Sequence, residues 1–387
     1  MTFLEPTSEL FLEDEHLALR DAVRSWIDGP GKEFVTAEDH RPETARAIVA
    51  SLGQEGLLAP LVAEDGSTDV EVRSVCVLRE ALAFASSLVD TQLVMQGLGS
   101  FALALGGTEA QRSAWLPKVA LGEAVAAFAL TEPEAGTDVA GLTTKARREG
   151  DQWILSGEKT LISNAGIADF YLLFARTSDG EKRHNGISLF LLPKDTGGLE
   201  IRPLELIAPH PIGELHLKEC TLPADALIGE EGRAFGLAMA SLDLFRPTVG
   251  AAACGIAARA LHESIAHVQK RRQFGQPLSG FQSVQAMIAT MATELEASRL
   301  LVYRAAAVKD QGQERITREG SMAKMYATEA ASRIVDSAVQ LRGGRGVVKG
   351  EVVERLYREV RALRIYEGTT EVQRLIIAGR VFEESGI

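Results

Sequence analysis

The stretch RALRIYEGTTEVQR, 361–374, strands one carboxylate, Glu367, between an aromatic run and a Gly-Thr-Thr break, with arginines at 361, 364 and 374. A solvated glutamate needs no such setting. A glutamate that must take a proton in a dry pocket does, because burial raises its pKa and makes it a better base. The competing reading is a surface glutamate paired with Arg364 or Arg374. A second group of charges, VQKRRQFGQP at 268–277, clusters Lys270, Arg271 and Arg272 ahead of Phe-Gly-x-Pro. Those cations either complement the dipole of a helix C-terminus or grip a phosphate at a subunit contact. The glycines of LRGGRGVVKG, 341–350, lack G-x-G-x-x-G spacing and follow no parallel-strand pattern, so a Rossmann-type dinucleotide site fails on context. Read alone, they end a helix. His210 and His216 have no third ligand at metal spacing, and no metal is expected. Ser163 and Ser241 lack the G-x-S-x-G context of a serine hydrolase.

Three blocks of chain must position these groups. From about Glu13 to Gly122 apolar residues recur at three and four, as in HLALRDAVRSWI and PETARAIVASLGQEGLL, and TQLVMQGLGSFALALGG is apolar almost all round. Thr108, three residues before Gln111, predicts a helix N-cap. From about Ala124 to Gly229 the period shortens to two: AVAAFAL, WILSGEKTLIS, FYLLFART, GISLFLLPKD and ELHLKECTLP read as antiparallel strands, with a hairpin turn at Gly150-Asp151. From Gly232 helices return; Val284, Met287, Ile288, Met291, Leu295 and Val302 form one stripe, and the Ala- and Met-rich faces read as bundle core.

The 387 residues, 46% hydrophobic and 24% charged, suit two or three packed domains, and the net charge of −12 argues against nucleic acid as a partner. The opening MTFLEPTSELFLEDEH is acidic, with neither an apolar core nor an Arg-rich pattern, so no secretory or transit segment is expected. No uninterrupted apolar run is long enough for a membrane span. Cys76, Cys220 and Cys254 are widely spaced and fit buried thiols in a reducing compartment, so the expected location is cytoplasmic.

FALTEPEAGTD (128–138), GEKTLISNAG (157–166), RRQFGQPLSGFQSVQ (271–285), QLRGGRGV (340–347) and IYEGTTEVQRLIIA (365–378) come in that order, and each resembles a signature stretch of the acyl-CoA dehydrogenase family. The resemblance covers nearly the whole chain. It implies an α+β fold: an N-terminal helical domain over 1–122, a middle antiparallel β domain over 123–231 and a C-terminal four-helix-bundle domain over 232–387. It implies FAD bound without a Rossmann fold, and desaturation of an acyl-CoA thioester between Cα and Cβ in fatty acid metabolism. Glu367 matches the catalytic base, which takes the α-proton while the β-hydrogen leaves as hydride to flavin N5. The thioester oxygen would be met by the backbone N–H of that base and a ribityl hydroxyl, donors worth about 3–4 kcal/mol each in the transition state. Gly368 then leaves room for the thioester to lie against the backbone.

By the same resemblance Phe128, Leu130, Thr131, Gly136 and Thr137 line one side of the isoalloxazine, with Thr137 also near the thioester, and Ser163 approaches N5. Arg271, Gln273, Phe274 and Gln282 reach the adenosine diphosphate half of an FAD bound mainly by a neighbouring subunit, while Gln340, Gly343 and Gly344 support its pyrophosphate. Thr369 and Glu371 lead from the base toward the cofactor, Thr369 opening the last helix, whose N-terminus suits a phosphate. Tyr366 flanks the base. Asp243 and Arg246 match positions that contact the CoA part of the substrate, the plainer reading being an i,i+3 ion pair. Such shared sites imply a homo-oligomer, a homotetramer built as a dimer of dimers, or a dimer.

The family has a second placement for the base, on a long helix within a stretch resembling L-D-x-E-R. Here that stretch is SLDLFRPTVG, 241–250, and Phe245 fills the slot, so Glu367 stands alone. Leu161 stands where the family usually has a Trp or Phe over the flavin, at the docking place of the electron acceptor. That bears on the implied partner, electron-transferring flavoprotein. An oxidase or another flavoenzyme of the same fold acting on a different thioester is the alternative activity. A monooxygenase relative usually lacks the Glu, and a nucleic-acid-associated relative would carry a basic extension. Asp90, Gln92 and Gln96 either recognise a polar acyl tail or face solvent.

Overall fold

The computed structural model describes residues 10–36, 41–62, 68–179, 181–208 and 210–386. Six helices come first: Asp14–Asp28 (α1), Lys32–Thr36 (α2), Pro42–Gln54 (α3), Val72–Ala85 (α4), Ser87–Gly106 (α5) and Glu109–Ala120 (α6). Eight strands follow: Ala126–Ala129 (β1), Lys145–Glu149 (β2), Gln152–Ser163 (β3), Phe170–Arg176 (β4), Ile187–Pro193 (β5), Leu199–Pro203 (β6), Ile212–Pro223 (β7) and Leu227–Ile228 (β8). The chain closes with Phe235–Lys270 (α7), a hairpin of Arg272–Gln273 (β9) and Gln276–Pro277 (β10), then Gln282–Asp310 (α8), Thr317–Arg342 (α9), Val352–Leu363 (α10) and Thr370–Ser385 (α11). The helical, β, helical order is the one the changing period predicts.

Local chemistry sets several of these boundaries. Thr108 caps α6 in a reciprocal box: Gln111 N donates to Thr108 Oγ1 at 3.2 Å, and Thr108 N to Gln111 Oε1 at 2.9 Å. Gly150, at φ 59°, turns β2 into β3 as its place in the sequence predicts, with Glu149 opposite Gln152.

By packing, the described chain divides into two compact units that cut across the sequence blocks. One holds Pro30–Val70 and Thr91–Leu242 and is built on the sheet, in the order β6-β7-β3-β2-β4-β5-β8. Its neighbours are antiparallel with two exceptions that the alternating pattern does not show. β1 runs parallel to β4, from Ala126 opposite Phe170 to Ala129 opposite Leu173, and β2 touches β4 in parallel at one pair, Lys145 and Arg176. The reading of a wholly antiparallel block is corrected there, because four apolar residues carry no mark of direction. Tyr171, Leu172, Leu173, Phe174, Leu189 and Phe190 are fully buried and form the centre of this sheet's core.

The other unit joins 10–29 and Glu71–Asp90 to the helices from Asp243 onward. Its α4 is buried at every position from Ser74 to Ala85. Glu80 on α4 accepts hydrogen bonds from Arg299 Nε at 2.7 Å and the Tyr303 hydroxyl at 2.9 Å, both from α8. A Cβ on Gly255 of α7 would lie 2.2 Å from the Glu80 carbonyl oxygen, so only glycine lets α7 approach α4 this closely. The α8 stripe is buried over its second half, at Met291, Leu295 and Val302, and half-exposed at Val284, Met287 and Ile288. Among the described residues one helix, Ser87–Gly106, is long and apolar enough to cross a membrane, yet 89% of its most apolar window is packed inside, as in a core helix. All three cysteines are free and buried.

Candidate active site

The end of α10 and the start of α11 are joined by a short turn carrying Glu367. Glu367 and Gly368 are consecutive left-handed residues, at φ 54° and 93°, which breaks the helical run on either side. Thr369 then caps α11 by accepting from Val372 N at 3.4 Å. Gln373 Nε2 donates to the carbonyls of Glu367 and Gly368, at 3.2 and 3.1 Å, and Lys324 Nζ donates to Gly368 O at 2.7 Å. The backbone N–H of Glu367 takes no partner among the described residues. Arg364 does not hold the base as a surface ion pair. It is bound to Glu329 at 2.8 Å, which also accepts from the Thr370 hydroxyl at 2.8 Å.

Oε2 of Glu367 is closed off from solvent and has no hydrogen-bond partner. Burial pushes its carboxyl pKa up; Arg79, Lys324 and Arg246 pull the other way without restoring the ordinary value. Arg79 is fixed by Asp90, with Nε–Oδ1 and Nη2–Oδ2 both at 2.8 Å, and by the Thr248 hydroxyl at 3.0 Å. Asp90 is therefore an inward residue and not a solvent-facing one. Gln92 and Gln96 are also fully buried. Arg246 pairs with Asp243 at 3.4 Å, and its burial lowers its own pKa. Phe245 is fully buried in the slot between them, so no carboxylate enters from that helix position. Tyr366 beside Glu367 keeps 38% of its surface open, and Glu367 as a whole residue is half-buried.

The residues expected to line a flavin ring lie on β1, the following loop and β3. Leu130 is buried; Phe128 is half-buried against Phe174, with ring centroids 5.0 Å apart. The loop from Thr131 is held from inside by Glu132, which accepts from Lys159 Nζ at 2.8 Å, Thr143 N at 2.6 Å, the Thr143 hydroxyl at 2.9 Å and Thr144 N at 3.0 Å. Lys159 also donates to Leu130 O at 3.0 Å. Burial raises the Glu132 carboxyl, but Lys159 and the Thr donors override it and bring it to about 2; burial takes Lys159 down to about 8 against the pull of Glu132. This leaves Gly136 and Thr137 exposed at the loop's tip. Leu161 sits at φ 55° in a β3 irregularity and is 53% exposed. The Ser163 hydroxyl is 3.2 Å from His210 Nε2.

Arg271, Gln273, Phe274 and Gln282 are exposed around the β9–β10 hairpin, Phe274 at 93% and φ 47°. Gln340, Gly343, Gly344 and Glu371 are exposed too, and Thr369 is half-buried. A side chain built at Gly136, Gly343 or Gly344 would meet nothing within 4 Å. Taken unit by unit, the apolar ring, hydroxyls and bare backbone of the sheet unit suit a flavin ring, and the arginine and bare backbone of the helical unit suit a diphosphate. His216, for which the sequence shows no third ligand at metal spacing, lies beside Glu214 at 3.1 Å and Glu158 at 3.7 Å.

Three family models match the chain in succession: acyl-CoA dehydrogenase, N-terminal domain, at residues 13–123; middle domain, at 127–220; and C-terminal domain, at 232–382. The chain belongs to the acyl-CoA dehydrogenase family. It is 37% identical over 378 residues to the probable acyl-CoA dehydrogenase fadE25 of Mycobacterium leprae, covering 96% of this chain and 97% of that one. Butyryl-CoA dehydrogenase from Megasphaera elsdenii superposes with a TM-score of 0.89 at 31% identity, covering 96% of this chain and 99% of the other. A chain from a structure described as the electron transferring flavoprotein of Acidaminococcus fermentans gives a TM-score of 0.88 at 32% identity, covering 96% and 98%. This acyl-CoA dehydrogenase is an FAD-dependent oxidoreductase acting on acyl-CoA thioesters. Sequence reading missed Lys324, Gln373, Arg79, Glu132 and Lys159. The available signal was a charged residue inside an apolar stripe: Lys324 falls in line with Gly320, Ala327 and Ala331, all buried.

Proposed function

We propose that Glu367 is the base that removes the α-proton of the acyl-CoA thioester, and that its own N–H is one of the donors to the thioester oxygen. The observation that carries this reading is the sealed, unpartnered Oε2 on a turn whose N–H is also unclaimed. Burial makes the carboxylate a stronger base, while Arg79, Lys324 and Arg246 keep it from being driven up without limit. As the α-proton leaves, negative charge builds on the thioester oxygen, and a preoriented N–H meets it without reorganisation. Tyr366 and Gly368 bound the substrate beside the base, with Asp243 and Arg246 on its CoA side and Thr137 near the thioester.

FAD, when bound, supplies the acceptor for the β-hydride. Phe128, Leu130, Thr131, Gly136, Thr137, Leu161 and Ser163 would hold its ring system. Arg271, Gln273, Phe274, Gln282, Gln340, Gly343, Gly344, Thr369 and Glu371 would hold its diphosphate end, some of them from a second subunit. A homotetramer or dimer agrees with the exposed Phe274, Leu375 and Phe382 and with the half-exposed face of α8. The likeness to the Acidaminococcus chain supports electron-transferring flavoprotein as the acceptor, docking where Leu161 is exposed. Buried, free cysteines agree with a cytoplasmic location. The three family matches support domains over 1–122, 123–231 and 232–387.

The test is anaerobic mixing of the FAD-loaded protein with a panel of acyl-CoA thioesters, followed by the flavin's visible absorbance. The wild type bleaches rapidly with one class of thioester, and Glu367→Gln binds the same thioester but reduces its flavin about 10²–10⁴-fold more slowly. A wild-type rate in the variant would remove Glu367 from the role.

A further inference from the structure

The turn that carries the base is held from behind by a residue outside the motif. Lys324, on α9, is fully buried, and its Nζ donates to Gly368 O at 2.7 Å, one residue past Glu367. Gln373, also fully buried, fills the other lone pair of that carbonyl at 3.1 Å and reaches Glu367 O at 3.2 Å. The turn needs such support. Glu367 at φ 54° is a left-handed non-glycine residue, a conformation that costs on the order of 1–3 kcal/mol and persists only where the surroundings impose it. A hydrogen bond from an ammonium is roughly twice as strong as one from a neutral amide, so Lys324 is the stronger of the two clamps.

Lys324 is also a charge. Burial takes its pKa down to about 8, against the pull of Glu367 first, then of Glu329 and Glu371, with Arg246 adding repulsion, so the charge is complete only below that pH. Glu367 in turn faces Arg79 and Asp90 from α4 and α5, Arg246 from α7 and Lys324 from α9. Of the three cations, Arg79 is committed to Asp90 and Arg246 to Asp243. Lys324 makes no hydrogen bond to a carboxylate, and it is the one joined directly to the base's own turn.

We propose that Lys324 is a positioning residue of this acyl-CoA dehydrogenase, fixing the Glu367–Gly368 turn through the Gly368 carbonyl and placing a positive charge near the Glu367 carboxylate that favours its ionised form. The proposal rests on the reading of Glu367 as the base. It separates two duties that a merely structural lysine would not have. Gln373 shares the clamp but carries no charge.

The test measures the rate of anaerobic flavin reduction against pH for the FAD-loaded wild type, Lys324→Met, Lys324→Gln, Lys324→Arg and Gln373→Leu, with flavin content and thermal midpoint as folding checks. Lys324→Met loses about 10²-fold in maximal rate through a loosened base. Its acid limb moves to higher pH by about 1 to 3 units, the range expected when a neighbouring opposite charge is removed. Lys324→Gln keeps a donor for Gly368 O without the charge, so its limb moves in the same direction with a smaller loss of maximal rate; it carries the test if the methionine variant does not fold. Lys324→Arg returns the limb to its wild-type position. Gln373→Leu lowers the maximum and leaves the limb in place. Folded Lys324→Met and Lys324→Gln with an unmoved limb would overturn the proposal. Glu367→Gln run alongside keeps the two readings apart: a fully active Glu367→Gln brings down the base assignment, whereas an inactive one with an unmoved Lys324→Met limb brings down the Lys324 proposal alone.

Discussion

Replacing Lys159 by methionine tests how the loop after β1 is held. In the wild type, Lys159 and Glu132 meet at 2.8 Å with at most 3% of either side chain exposed. Lys159 and the loop donors hold the carboxyl down at about 2, while burial takes the ammonium down to about 8 against the pull of Glu132. The attraction within the intact pair is set against the cost of burying both charges, and such pairs are typically near break-even. Their halves are not. Lys159→Met leaves a buried carboxylate facing only the Thr143 and Thr144 donors, and losing one partner of a buried pair costs about 3–5 kcal/mol. Urea denaturation at pH 7, followed by tryptophan fluorescence, should show that loss. Glu132→Gln combined with Lys159→Met should be milder than Lys159→Met alone, because the amide oxygen still accepts from the loop and no charge is stranded. Glu132's contribution in the wild type is complete above about pH 4.5 and fades as pH falls toward 2. In Lys159→Met the carboxyl is no longer held down, so it protonates at higher pH, and the gap to wild type narrows as pH drops below 7. A single variant within about 1 kcal/mol of wild type at pH 7, or a double variant no better than the single, would refute the argument.

Two further perturbations follow. Gly368→Ala places a Cβ 2.4 Å from Gln373 Nε2 at a φ of 93°, so it should cost about 1–3 kcal/mol and slow flavin reduction by displacing the base; unchanged reduction kinetics would contradict this. Thr108→Ala removes the cap of α6, and thermal denaturation should register about 1 kcal/mol with no change in flavin reduction.

Much of the fold was legible because its signals are local. The Thr108–Gln111 box, the Gly150 turn and the change of period between blocks each lie within a few residues. The position of Glu367 between two helices was legible for the same reason. What stayed hidden depends on partners far along the chain. Lys159 and Glu132 are 27 residues apart, and Lys324 and Gly368 are 44 apart, so each lysine reads by itself as a flaw in an apolar stripe. The parallel β1–β4 pairing was hidden because Ala-Ala-Phe-Ala specifies burial and not direction. Nor could periodicity show that α1 and α4 pack with the C-terminal helices, since an amphipathic face states what it buries but not against which element.

The bond between Glu80 and Arg299 spans 219 residues. At roughly 5–20 residues per second, a ribosome needs on the order of 10–45 s to deliver the arginine after the glutamate has emerged. For that interval α4, whose mature form is buried on nearly every side, has no α8 to lie against. The sheet unit, whose larger piece Thr91–Leu242 is one continuous run, is finished first. Birth order therefore runs against chain order: the middle of the polypeptide matures while its beginning waits, and that waiting stretch is where a chaperone's protection counts most.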